Sequence, residues 1–246
     1  MYSQFHTSIR HLLLPTLLMI FVLAGNSTVV FSQDVKEDLK KINQAYEAHK
    51  SFRADVTYKL FGSLSGNTPI ETVSGTIRNQ DQYQYSKISG LETLINGKYA
   101  VLVNHERKTI SIQSGFELTS VLHQPNLDSL VAYCQDIQYT RLTSSSVSYD
   151  FVFENHEYER IRMVFHPDTY VIESFTFYQA DPVSLTEGGA LQSIRMEIQF
   201  SNIQINQALP DAQFSEAQFV SHINGQYQPV KALASYRLVN FLSNNQ

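Results

Sequence analysis

The sequence predicts a mainly β protein, built on one long antiparallel sheet that curls and carries two inserted helices. Three observations lead there. Short runs of alternating apolar and polar residues recur along most of the chain after Ser51. Tight-turn residues such as Asn96-Gly97 and Pro167-Asp168 separate them, and only two segments have a helical period. At 246 residues and 43% hydrophobic, the chain is long and apolar enough to bury one sizeable core.

Taken in order, the first element is an export signal. Arg10, beside His6 and His11, precedes an apolar run from Leu12 to Ala24 and then a small-residue stretch that ends at Phe31-Ser32-Gln33. The run is shorter than a bilayer span and matches the apolar part of a signal peptide. Cleavage near residue 33 leaves residues 34–246 as a single expected domain. Val35, Leu39, Ile42, Tyr46 and His49 then recur at helical spacing.

The period changes at Ser51. Phe52, Ala54, Val56, Tyr58 and Leu60 alternate with Arg53, Asp55, Thr57 and Lys59, the mark of a strand with one buried and one wet face. Further strands are predicted over 70–78, 82–88, 91–95, 99–103 and 109–113, with a turn at Asn96-Gly97. Pro125-Asn126 opens a second helix, whose apolar face is Leu127, Leu130, Val131, Cys134 and Ile137. Strands resume over 146–153, 158–165, 171–178 and 193–200, and a last one is expected over 236–241.

Composition excludes several functions. Loss of residues 1–33 removes one basic side chain and leaves 17 against 23 acidic, a net charge of −6 against −5 for the whole chain. An acidic chain without basic clusters has no footprint for nucleic acid or for an anionic lipid surface. Later apolar runs are all short, so no transmembrane span is expected after cleavage. The only cysteine, Cys134, lies far from the cleavage junction, so the chain is not itself a lipoprotein and forms no internal disulfide.

No catalytic constellation stands. Gly62-Ser63-Leu64-Ser65-Gly66 resembles a nucleophile elbow, but Leu64 occupies the central position. Glu154, His156, Glu157 and Glu159 read as a solvated hairpin rather than a metal site, and His105 and His166 read as turn residues. No catalytic residue, metal or cofactor is therefore assigned.

What the sequence does have is fifteen Phe and fourteen Tyr without tryptophan, mostly on strands. Facing one way, Val56, Tyr58, Tyr83, Tyr85, Tyr149, Phe151, Met163 and Phe175 would line an apolar cleft, with Leu130 on the covering helix. Such a cleft suits acyl chains, each buried CH₂ being worth about 0.8 kcal/mol. It needs no fixed polar motif.

The order of motifs resembles the periplasmic outer-membrane lipoprotein carrier family, the LolA-like proteins. Asp38-Leu39-Lys40-Lys41-Ile42 before Ser51-Phe52-Arg53-Ala54 looks like that family's first helix running into its first strand. Gly75-Thr76-Ile77-Arg78 with Tyr83-Gln84-Tyr85, then Thr93–Tyr99, and finally Asn206–Phe214 are similar to its later segments. The resemblance implies an incomplete β-barrel closed by helices, a cavity for lipoprotein acyl chains and a soluble periplasmic protein, expected as a monomer. It also implies that Arg78 latches the lid, although Asn79 stands where the family has proline. Carrier or chaperone function is the leading expectation. The alternative is an envelope protein-interaction or sensor module on the same fold, with a protein partner.

Overall fold

The computed structural model describes residues 33–115 and 127–242. The expected signal peptide and the Pro125-Asn126 helix start lie outside the described residues. Helix α1 spans Gln33–Ala48 and buries Val35, Leu39 and Ile42 along one stripe. Helix α2 spans Leu127–Tyr133.

The strands are β1 (Ser51–Phe61), β2 (Glu71–Gln80), β3 (Tyr83–Ile88), β4 (Leu91–Ile95), β5 (Tyr99–Asn104) and β6 (Thr109–Ser114). After α2 come β7 (Asp136–Arg141), β8 (Val147–Val152), β9 (Tyr158–Phe165), β10 (Ile172–Gln179), β11 (Val183–Ser184), β12 (Leu191–Gln192) and β13 (Arg195–Ile205). The chain ends in β14 (Val220–Ile223), β15 (Gln226–Pro229) and β16 (Arg237–Asn240).

Twelve strands form one sheet in the order β16-β6-β5-β4-β3-β2-β1-β13-β10-β9-β8-β7. The order is open, with β16 and β7 at its ends, so the sheet is not closed into a barrel. Hairpin neighbours pair antiparallel, but β16 runs parallel to β6. That corrects the expectation of a wholly antiparallel sheet. A parallel neighbour needs a long return connection, and here residues 115–236 intervene.

Local chemistry explains the turns. Gly97 has φ of 75°, and the Asn96 side chain accepts from the amides of Lys98 and Tyr99 at 3.2 and 2.8 Å. Gly75 has a different reason. A Cβ there would lie 2.2 Å from the Lys87 carbonyl oxygen, so only glycine lets β2 approach β3 at this register.

The second helix is shorter than its periodicity predicts. It ends at Tyr133, and Ile137 lies on β7, an edge strand absent from the sequence reading. Ile137 follows Cys134 by three residues, which mimics a helix stripe. The backbone there pairs with β8 instead, Ile137 opposite Phe151.

Two compact units divide the packing. Among the described residues, one comprises 33–48, 57–73 and 127–200, and the other 49–56, 74–115 and 201–242. In the first, α1 and α2 cover an apolar layer on β8, β9, β10 and β13. In the second, the cover over β3–β6 is the chain after Leu209, with its three-residue and four-residue 3₁₀ turns and the β14–β15 hairpin.

Candidate functional site

The first unit's layer is built in rows across the ladder. Tyr149 lies opposite Met163, Met163 opposite Phe175, and Phe175 opposite Ile198. The next row runs Phe151, Ile161, Phe177 and Met196. Because strand side chains alternate, this double row is what the period-2 pattern of β8–β10 must produce. Tyr149 stacks on Phe165 with ring centres 5.7 Å apart, and its hydroxyl donates to Asp38 of α1 at 2.7 Å. Tyr46 of α1 accepts from the Ile172 amide at 3.2 Å. These two contacts anchor α1. Over the same layer α2 sets Leu127, Leu130 and Val131, all buried.

The sequence-predicted residues thus fall into groups. Tyr149, Phe151, Met163, Phe175 and Leu130 come together in the first unit's core. Tyr83 and Tyr85 belong to the second unit's core, where Tyr83 packs against Phe214 with ring centres 5.8 Å apart. Val56 and Tyr58 are both buried on β1, Val56 in the stretch assigned to the second unit and Tyr58 in the stretch assigned to the first.

Arg78 donates to Gln213 Oε1 at 3.1 Å, and its guanidinium lies 5.1 Å from the Tyr85 ring centre. It therefore fastens the 3₁₀ turn Asp211–Phe214 to the β2–β3 hairpin.

Sequence reasoning missed a polar cluster at one end of the second unit's apolar face. Glu92 shares a face of β4 with Leu94 and is buried. Tyr85 donates to its Oε2 at 3.2 Å, and Lys87 forms an ion pair with Oε1. His105 Nε2 lies 3.0 Å from Glu92 Oε1, and His105 Nδ1 lies 2.8 Å from the Tyr236 hydroxyl. A proton on Nε2 satisfies every member: the ring donates to Glu92 and accepts from Tyr236. Desolvation pushes the Glu92 carboxyl up, but the hydrogen bonds and charges of Lys87 and His105 outweigh it and hold the group below its usual range. Burial and the neighbouring Glu92 push the Tyr85 phenol up to about 12, so it stays a donor. The available signal was a charge at an apolar parity position, Glu92 two residues before Leu94.

A second buried carboxylate, Asp150, lies on the opposite face of β8 from Tyr149 and Phe151. Arg162 donates to it through two nitrogens, at 2.9 and 2.8 Å. Among the described residues no group of three His, Cys, Asp or Glu is placed to hold a metal ion.

The architecture is an open sheet carrying buried apolar layers under covers from the same chain. No family model and no curated protein matches the chain. Among solved structures it is similar to a LolA superfamily protein from Nitrosomonas europaea, at 9% identity and a TM-score of 0.34 over 74% of this chain and 97% of that one. It is also similar to lipoprotein LppX of Mycobacterium tuberculosis, at 9% identity and a TM-score of 0.42 over 73% and 99% of the two chains. A third likeness is to the MucA/MucB complex of Pseudomonas aeruginosa, at 14% identity and a TM-score of 0.42 over 80% of this chain and 63% of that one. At such identities the likeness concerns the fold.

Proposed function

We propose that the mature protein is a periplasmic carrier or chaperone that holds the acyl chain of a lipid or lipoprotein, without catalysing a reaction. The acyl chain would lie in the first unit between α1, α2 and the double row led by Tyr149 and Phe151. One observation carries this reading: the layer is aromatic, with Met163 and Met196 set among the rings, and α1 and α2 rather than a second sheet lie over it. Thioethers and flat rings adapt to ligands of varied shape, and a helix lying over a sheet can shift without breaking the sheet's ladders. Tyr149, whose hydroxyl Asp38 accepts, presents only its ring, so the layer favours hydrocarbon over polar ligands. The export-type N-terminus supports a place in the periplasm, and no described helix is long and apolar enough to cross a membrane.

Native mass spectrometry of the protein exported to a bacterial periplasm tests this. Copurified lipid or acylated protein is the expected result, and a consistently empty protein that takes up no long-chain lipid overturns it. A second reading, an envelope interaction or sensor module, draws on the second unit, whose apolar face is already covered by its own chain. A single stoichiometric envelope protein recovered without lipid would favour that reading.

A further inference from the structure

The cover of the second unit is held differently from the sheet beneath it. Leu94, Val101, Val103, Ile110 and Ile112 form a fully buried apolar face on β4–β6. Over it run Leu209, Phe214, Phe219 and Val220, all buried, and the segment ends in β16. The strands below are joined by continuous backbone ladders.

The cover is tied down mostly by side chains. Gln80 Oε1 accepts from the Leu209 amide at 3.1 Å, and Arg78 donates to Gln213. Asn96 donates to Glu216 at 2.7 Å, and the Tyr227 and Tyr99 hydroxyls lie 2.5 Å apart. The last fastening is the Tyr236 hydroxyl on His105, just before four residues of parallel pairing with β6. Parallel pairing is the weaker ladder per residue, and segments with few backbone ladders open before the whole fold does.

We infer that residues 209–240 are a strap that opens locally from the second unit, with the Tyr236–His105–Glu92 chain as its catch, and that the uncovered β4–β6 face is a second place for an acyl chain. The part concerning the acyl chain rests on the lipid-binding reading; the opening itself does not. Two features make Tyr236 the catch rather than one tie among several. It is the last side-chain contact before β16, so its release frees the parallel strand's entry. His105 is also braced by the buried Glu92, so the bond it offers Tyr236 has a fixed direction.

Hydrogen exchange on the full mature chain reads the opening without any ligand. Amides of residues 220–241 should exchange at least tenfold faster than those of β5, roughly the effect of one hydrogen bond's worth of stability or more. Tyr236→Phe should speed the strap a further three- to tenfold, roughly the value of one hydrogen bond, and leave residues 147–165 unchanged. Strap and sheet exchanging at one common rate in both proteins overturns the inference.

A second variant tests the gate. Ser111→Cys with Val239→Cys pairs two residues in register on β6 and β16, and Cys134 is buried elsewhere. Oxidised, it should slow strap exchange and weaken binding of a fluorescent stearate, with reduction restoring both. Unchanged stearate binding on oxidation, in a protein that does bind it, overturns the gate. If the strap opens as expected but no form of the protein binds stearate, the lipid reading fails and the local opening stands.

Discussion

Shortening Leu130 to alanine separates a movable cover from ordinary core. Leu130 is buried at 8% exposure on α2, beside Leu127 and Val131. The change removes three carbons, worth about 2.4 kcal/mol at about 0.8 kcal/mol each. In a rigid site the cavity left behind raises the total toward about 5 kcal/mol. α2 packs by side chains alone and can settle into the gap, so the expected loss is about 2–2.5 kcal/mol, near the lower end of that range. Met163→Ala supplies the contrast. Met163 is fully buried and lies on β9 with β8 and β10 paired on either side, so its site cannot collapse. It should cost about 3–5 kcal/mol. For a chain of this size each kcal/mol moves the melting midpoint by about 2–4 °C, so Leu130→Ala should lower it by about 4–10 °C. Melting followed by circular dichroism, with titration of a fluorescent stearate, measures both quantities. Weakened stearate binding with the smaller stability loss fits a cover over a ligand site. Equal losses for the two variants with unchanged stearate affinity refute the reasoning, and the acyl chain must then lie elsewhere.

Three other outcomes follow from the buried charges and the thiol. Arg162→Ala leaves the buried Asp150 carboxylate with only the distant Arg160, 3.9 Å away, and should cost about 3 kcal/mol in urea unfolding. Arg160→Ala removes the longer, 3.9 Å contact and leaves the two-nitrogen pair of Arg162 intact, so it should cost less than Arg162→Ala, and the reverse order would be wrong for this network. Glu92, held below the ordinary carboxyl value of 4.5, contributes stability that is present above that pH and lost as pH falls through its folded value. The stability gap between the wild type and Glu92→Gln should therefore shrink between pH 7 and pH 3.5, and a gap that ignores pH would remove Glu92 from the account. Burial pushes the Cys134 thiol up to about 12, so it should react with a disulfide reagent at pH 8 only as the protein unfolds; rapid native labelling would contradict its packing.

Much of this protein was written locally. Phe52, Ala54, Val56, Tyr58 and Leu60 are buried on β1 in the order their alternation predicts, because a strand's faces depend only on parity. Asn96-Gly97 marks its own turn, since the backbone there needs a positive φ and a nearby side-chain acceptor. Strands β4 and β9 match their expected bounds for the same reason.

Partnership was another matter. That β1 neighbours β13 and that β16 adds parallel to β6 depends on chain segments more than a hundred residues apart, which no local period encodes. Ile137 satisfied the spacing of a helix and of a strand alike, and only pairing with Phe151 decided between them. The residues that neutralise Glu92 and Asp150 are distant in sequence, His105 from the turn after β5 and Arg162 from β9, so no local period pairs them. The strap was the least legible part. Residues 209–236 have no regular period, and what orders them is the apolar face of β4–β6, formed by strands far earlier in the chain.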